Sequence, residues 1–209
     1  VHHGVVLSGA RPVYLNSSVN RTYGLFGPVP KKTLFEAIAA HPDAKALILT
    51  SCTYDGLRYD LPPIIAAAHA QGIKVIIDEA WYAHARFHPA FRPTAMEAGA
   101  DYATQSTHKV LSALSQASMI HVNDPDFDAH LFRENFNMHT STSPQYGIIA
   151  SLDVGRQQAM MEGYKLLQRT LELAAELREA IDATNVFQAL TLTDLLPAEV
   201  QGDGIQLDP

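Results

Sequence analysis

An α/β fold with a mostly parallel central sheet is what this sequence predicts, and three observations predict it. Short apolar or β-branched runs alternate with stretches of helical spacing; Pro and Gly punctuate the changes between them; and residues 72–78 form a nearly continuous apolar run, as in a parallel strand covered on both faces. A 47% hydrophobic content over 209 residues can supply a large core, so one main domain is expected.

The elements follow in order. Residues 12–16 and 44–50 read as strands. Residues 30–41 read as a helix between strands, with Pro30 at its start and Leu34, Ala37 and Ile38 at helical spacing. A second helix spans residues 61–71 and Gly72 ends it; strands are then expected at 72–78 and 101–104. Further on the pattern changes. Residues 116–122 read as another strand, 123–126 as a turn, and 147–183 as mostly long helix. Along that helix Tyr164, Leu167, Leu171, Ala174 and Leu177 recur at helical spacing, which is read as packing.

Composition excludes several classes. The net charge is −7 without a basic tract, which argues against a dedicated nucleic-acid or membrane-surface binder, and no apolar stretch reaches transmembrane length. The single cysteine, Cys52, cannot form an internal disulfide and suits a reducing cytosol, so a cytoplasmic location is expected. Metal sites are weakly signalled. His84 and His88 stand four apart, but no HExxH follows and Pro89 and Pro93 interrupt a helix there. Asp124, Asp126 and Asp128 lack the Gly and distal Glu of a calcium loop, so a solvated turn is the reading and no metal is expected.

The chemistry concentrates in two places. Ser106-Thr107-His108-Lys109 puts one lysine among hydroxyls and a histidine where a strand gives way to a loop. A lysine so placed can condense with an aldehyde once it is a free amine, and small hydroxyl side chains can hold a phosphate. Asp78 ends the apolar strand, at the sheet edge where ligands of open α/β folds bind. A carboxylate there can pair with a protonated pyridine nitrogen, and Ala80 is small enough for a flat ring to lie against it. Together they are what a pyridoxal phosphate enzyme needs. Taken singly, Lys109 reads as a surface charge and Asp78 as a turn or N-cap residue. Tyr54-Asp55-Gly56 is first of all a turn, yet it follows the strand at 44–50, so Thr53 and Tyr54 are second-rank pocket candidates.

The stretch from Ser106 to Val122 resembles the lysine signature of the bacterial ornithine/lysine/arginine decarboxylases. Thr50-Ser-Cys-Thr-Tyr-Asp-Gly56, Asp78-Glu-Ala-Trp81 and His139-Thr-Ser-Thr-Ser-Pro-Gln-Tyr-Gly147 agree with that family in the same order. The resemblance implies a three-layer α/β/α, PLP-dependent transferase-like large domain of fold type I. It implies that Lys109 bonds the cofactor, that Asp78 holds its ring nitrogen, and that Ser106 and His108 surround phosphate and ring. Trp81 would sit near the substrate, Thr140 would reach the phosphate of a neighbouring subunit, and Lys109 or His108 would return a proton to the α-carbon. The implied partners are a basic amino acid substrate and a second copy of the chain, in a homodimer or an oligomer of dimers. Family members carry a phosphate-gripping turn and a ring-stacking histidine before the point matching Val1, and continue beyond Pro209 into a small domain. The chain is therefore expected to be a segment of a larger polypeptide, with residues 1–160 as the cofactor-binding unit and 161–209 as a linking helix and the start of the small domain. His2 and His3 would fall just after the stacking histidine. Transamination, or a non-catalytic scaffold, is the alternative reading.

Overall fold

The computed structural model describes residues 1–209. A short exposed helix, α1 (His2–Ser8), leads through extended chain to the paired strands β1 (Val19–Asn20) and β2 (Leu25–Phe26). Then come α2 (Lys31–Ala40), β3 (Ala46–Thr50), β4 (Leu57–Arg58), α3 (Leu61–His69) and β5 (Lys74–Asp78). Two short 3₁₀ turns precede β6 (Tyr102–Gln105), α4 (Thr107–Val110), β7 (Met119–Val122) and α5 (Ala129–His139). A 38-residue helix, α6 (Tyr146–Ala183), is followed by α7 (Leu192–Leu195) and β8 (Gln206–Leu207).

The α/β class and the mostly parallel sheet are those the sequence predicts. The main sheet has the order β3-β5-β6-β7, with β7 antiparallel on β6 and the other pairs parallel. Residues 12–16 are not a strand. No neighbouring segment offers them a ladder, and Val13 and Tyr14 stay exposed. The run at 72–78 alternates instead of being covered twice. Val75 and Ile77 are fully buried with Leu49 and Ala103 against α2 and α3, which contribute Leu34, Ile38, Ile64, Ile65 and Ala68. The register puts Ile48, Ile76 and Asp78 on the other face, where Ile48 is 42% exposed and Ile120 is 48% exposed. Gly72 adopts φ 73° at the α3–β5 turn, a left-handed conformation that costs glycine little.

The packed face of α6 differs from the expected stripe. Leu177 and Tyr164 are mostly exposed, and the buried residues are Gly155, Ala159 and Gly163, with Leu167 and Leu171 partly buried after them at the same four-residue spacing. Glycine is needed because the backbones come close. A Cβ on Gly155 would lie 3.2 Å from the Ser112 carbonyl oxygen, and one on Gly163 would lie 3.0 Å from Phe87 Cβ. Leu114 N–H also donates to Ser151 Oγ at 3.0 Å, so α6 fixes the loop that follows Lys109. The last residues return to the sheet domain: β8 pairs with β4, and Asn20 Nδ2 donates to the carbonyl oxygens of Asp194 and Leu195.

Candidate active site

The carboxyl ends of β3, β5 and β6 lie side by side, with Thr50 opposite Asp78 and Asp78 opposite Thr104. Asp78 and the Ser106–Lys109 segment therefore meet at one sheet edge. Asp78 Oδ1 accepts the Ala80 N–H at 2.9 Å, and its backbone carbonyl accepts the Ser51 N–H at 3.0 Å. The turn role of Asp78 is thus real. It occupies only one carboxylate oxygen, and Oδ2 is free to accept a hydrogen bond from a ligand.

Beyond β6 the chain enters a helical turn rather than a loop. Ser106 stands at its N-cap without a side-chain cap bond, and Lys109 N–H donates to Ser106 O at 2.9 Å. Thr107 is fully buried and its hydroxyl has no partner. His108 is held at two points, both to Ala117 O: its N–H at 3.1 Å and its Nδ1 at 2.8 Å. A carbonyl oxygen only accepts, so Nδ1 carries the proton and a neutral His108 presents a free lone pair at Nε2. Lys109 is exposed, and its Nζ lies 4.8 Å from the centroid of the Trp81 ring, which is itself 53% exposed. Tyr54 stands edge-on to the same indole, with centroids 5.8 Å apart and planes at 83°. A groove of about 540 Å³ lies between residues 48–59 and the β1–β2 segment; it shares Tyr54 with this group, but Asp78, Trp81, Ser106, His108 and Lys109 are not in its lining.

The structure brings together Asp78, Ala80, Trp81, Ser106, His108 and Lys109. Thr140 is not among them. It follows α5, exposed, with no hydrogen bond to any of these residues. His2 and His3 lie in the exposed α1. Lys74, at the opposite end of β5, is bound by Asp124 and Asp126 at 2.5 and 2.9 Å, and these carboxylates raise its pKa; that explains two of the three aspartates in the turn. His88 donates or accepts at Gln168 and stacks on Tyr164, while His84 packs against Phe91, so neither ring points at a common ion.

Two residues are buried in a way that the sequence did not reveal. Glu79 is 1% exposed directly behind Asp78; it accepts from Ala95 N–H at 2.7 Å and from Gln105 Nε2 at 2.8 Å, and Gln105 Oε1 meets His121 Nε2 at 2.8 Å. Burial pushes its pKa up, opposed by the Gln105 and Ala95 hydrogen bonds. Its place after an apolar strand was visible, but which way it faced was not. The other is His84, whose Nδ1 is shielded without a partner and whose pKa burial lowers from 6.5 to about 4. Between those values the unfolded chain takes up a proton that the folded chain refuses, so stability falls as pH drops through this window and levels off below it. Urea unfolding should show His84→Phe losing less stability than wild type from pH 6.5 to 4, by on the order of 1–3 kcal/mol. Equal losses in both proteins would mean that His84 is protonated in the fold.

Residues 1–202 match the family described as Orn/Lys/Arg decarboxylase, major domain. The lysine decarboxylase LdcA of Pseudomonas aeruginosa is 41% identical over 92% of this chain and 28% of its own length. An arginine decarboxylase of Bacillus cereus is 34% identical over 88% of this chain and 40% of its own. The constitutive lysine decarboxylase of E. coli superposes with a TM-score of 0.67 and 34% identity, over 81% of this chain and 26% of that one. The chain thus spans between about a quarter and two-fifths of the length of these relatives. No helix is long and apolar enough to cross a membrane.

Proposed function

This chain belongs to the Orn/Lys/Arg decarboxylase family, through its major domain, and we propose that it forms the cofactor-holding part of an enzyme that removes carbon dioxide from a basic amino acid. The observation that carries the proposal is that Asp78, at the end of β5, and Lys109, just past β6, stand at one sheet edge, with Lys109 Nζ 4.8 Å from the centroid of the Trp81 ring. The donor set fits pyridoxal 5'-phosphate: a carboxylate with a free oxygen for the ring nitrogen, a primary amine for the aldehyde, alanine in the Asp78 turn for the ring face, and the Ser106 hydroxyl for the phosphate. When bound, that group supplies an aldehyde that captures amines and a conjugated ring that accepts the electron pair left on the α-carbon.

The chain's residues do the rest. The Asp78 charge keeps a ring nitrogen protonated, and the Ala80 N–H holds that carboxylate in one orientation. Lys109 supplies the amine that yields its place to the substrate. His108, tied through Nδ1, can hold or return a proton at Nε2, and Lys109 can do so at Nζ. A cytoplasmic homodimer, and the division into residues 1–160 and 161–209, belong to the same proposal.

Carbon dioxide release tests it. Supplied with pyridoxal phosphate, the full-length polypeptide of which this chain is expected to be a segment should release carbon dioxide and the matching amine from lysine, arginine or ornithine, whereas the 209-residue chain by itself should hold the cofactor poorly. Pyridoxamine phosphate without carbon dioxide would mean transamination, and no visible absorbance band with added cofactor would mean a scaffold. Thr140 tests the dimer. It is proposed to serve the neighbouring subunit, so mixing inactive full-length Lys109→Ala with inactive full-length Thr140→Ala protein should restore part of the activity through dimers with one intact site. No recovery despite subunit exchange would take Thr140 out of that role.

A further inference from the structure

Tyr54 has no part in the function proposed so far. It is 88% exposed and makes no side-chain hydrogen bond, yet its ring stands at 83° to Trp81 with centroids 5.8 Å apart. Burial does not hold a side chain that sits in water, whereas an edge-to-face contact between two π systems gives it a preferred place. The same indole lies 4.8 Å from Lys109 Nζ. Lys31, Lys32 and Lys74 each pair with a carboxylate, and Lys109 with none; the only specific partner of its charge is the Trp81 ring. A lysine ends in a point charge on a flexible stem, and an aromatic face is one of the few surfaces that restrains it without neutralising it.

We propose that Tyr54 is a positioning residue that acts through Trp81: it braces the indole so that the ring holds the Lys109 ammonium at the sheet edge whenever that amine is not bonded to a carbonyl carbon. The inference rests on reading Lys109 as the amine that captures the cofactor. It adds a resting place for that amine and the residue that maintains it. A lysine released at the edge would then stay beside Asp78 and His108 instead of swinging into solvent.

Trp81 is the only tryptophan, so fluorescence excited at the indole reports this site. Iodide and caesium quench an indole according to the charge beside it. Their ratio is the useful quantity, since opening the indole to solvent raises both together. Lys109→Met removes the charge and calibrates the measurement. Tyr54→Ala leaves the net charge untouched, so a change in its ratio reports where Lys109 sits. The expected result is that Tyr54→Ala loses most of the iodide preference that Lys109→Met loses, while Tyr54→Phe keeps the wild-type ratio, because the ring and not the hydroxyl makes the contact. Circular dichroism should show the wild-type fold in each, as an exposed side chain without hydrogen bonds can be removed cheaply. A wild-type ratio in Tyr54→Ala, or a Tyr54→Phe ratio like that of the alanine variant, overturns the proposal. No cofactor is added, so the outcome is independent of whether Lys109 takes up a pyridoxyl group. Failure of that labelling would sink the proposed function while leaving the brace as measured.

Discussion

Lys109→Ala is expected to abolish carbon dioxide release, by on the order of a thousandfold or more, together with the pyridoxyl mass that borohydride fixes on the peptide containing residue 109. The size follows from the chemistry. Without the amine, the protein loses both the group that captures the aldehyde and one of its two proton carriers at the edge. The fold should survive, because Lys109 is exposed and its one specific side-chain contact is the Trp81 ring. The choice of lysine is also testable by elimination. Lys74 is held charged by Asp124 and Asp126 at the far end of β5, and Lys165 lies on the exposed side of α6. Peptide mapping that found the label on Lys74 or Lys165, with Lys109 untouched, would end the assignment.

In the full-length polypeptide, Asp78→Asn should fold, still bind pyridoxal phosphate, and lose most of its decarboxylation. Asparagine keeps an oxygen where Asp78 Oδ1 accepts the Ala80 N–H, so the turn is preserved and only the charge goes. A neutral partner no longer keeps the ring nitrogen protonated. Losing a charged hydrogen bond aimed at developing charge costs about 2–4 kcal/mol, or roughly 30- to 1000-fold in rate. The cofactor absorbance band measures binding and carbon dioxide release measures turnover. A near wild-type rate with full binding would reduce Asp78 to its turn.

Much of this was legible in the chain. The alternation of apolar runs and helical spacing placed α2, α3, β3, β5, β6 and α6 within a few residues of their limits, because each depends on short-range periodicity and on Pro or Gly at its ends. The motif residues Asp78, Ser106, His108 and Lys109 could be named from the sequence because Asp78 ends one strand and the other three come within four residues of the next strand's end, where open α/β sheets bind ligands. Residues 12–16 failed as a strand because strand propensity needs a partner, and none lies beside them.

What only the tertiary structure decided concerns direction and neighbours. The apolar letters of β5 could not say that Val75 and Ile77 meet α2 and α3 while Ile76 and Asp78 face the other way; the pairing register decides that. Nor could the leucines of α6 say that glycines would form its packed face, since the close approach to Ser112 and Phe87 comes from chain segments far away in sequence. Tyr54 and Trp81 are 27 positions apart, and Glu79 lies 16 and 26 positions from its partners Ala95 and Gln105, so only the fold brings these side chains together. By itself the sequence determined the elements and the reactive side chains, because both are written in local spacing. The fold determined which of those side chains meet, because strand register and helix docking are long-range contacts that no local pattern encodes.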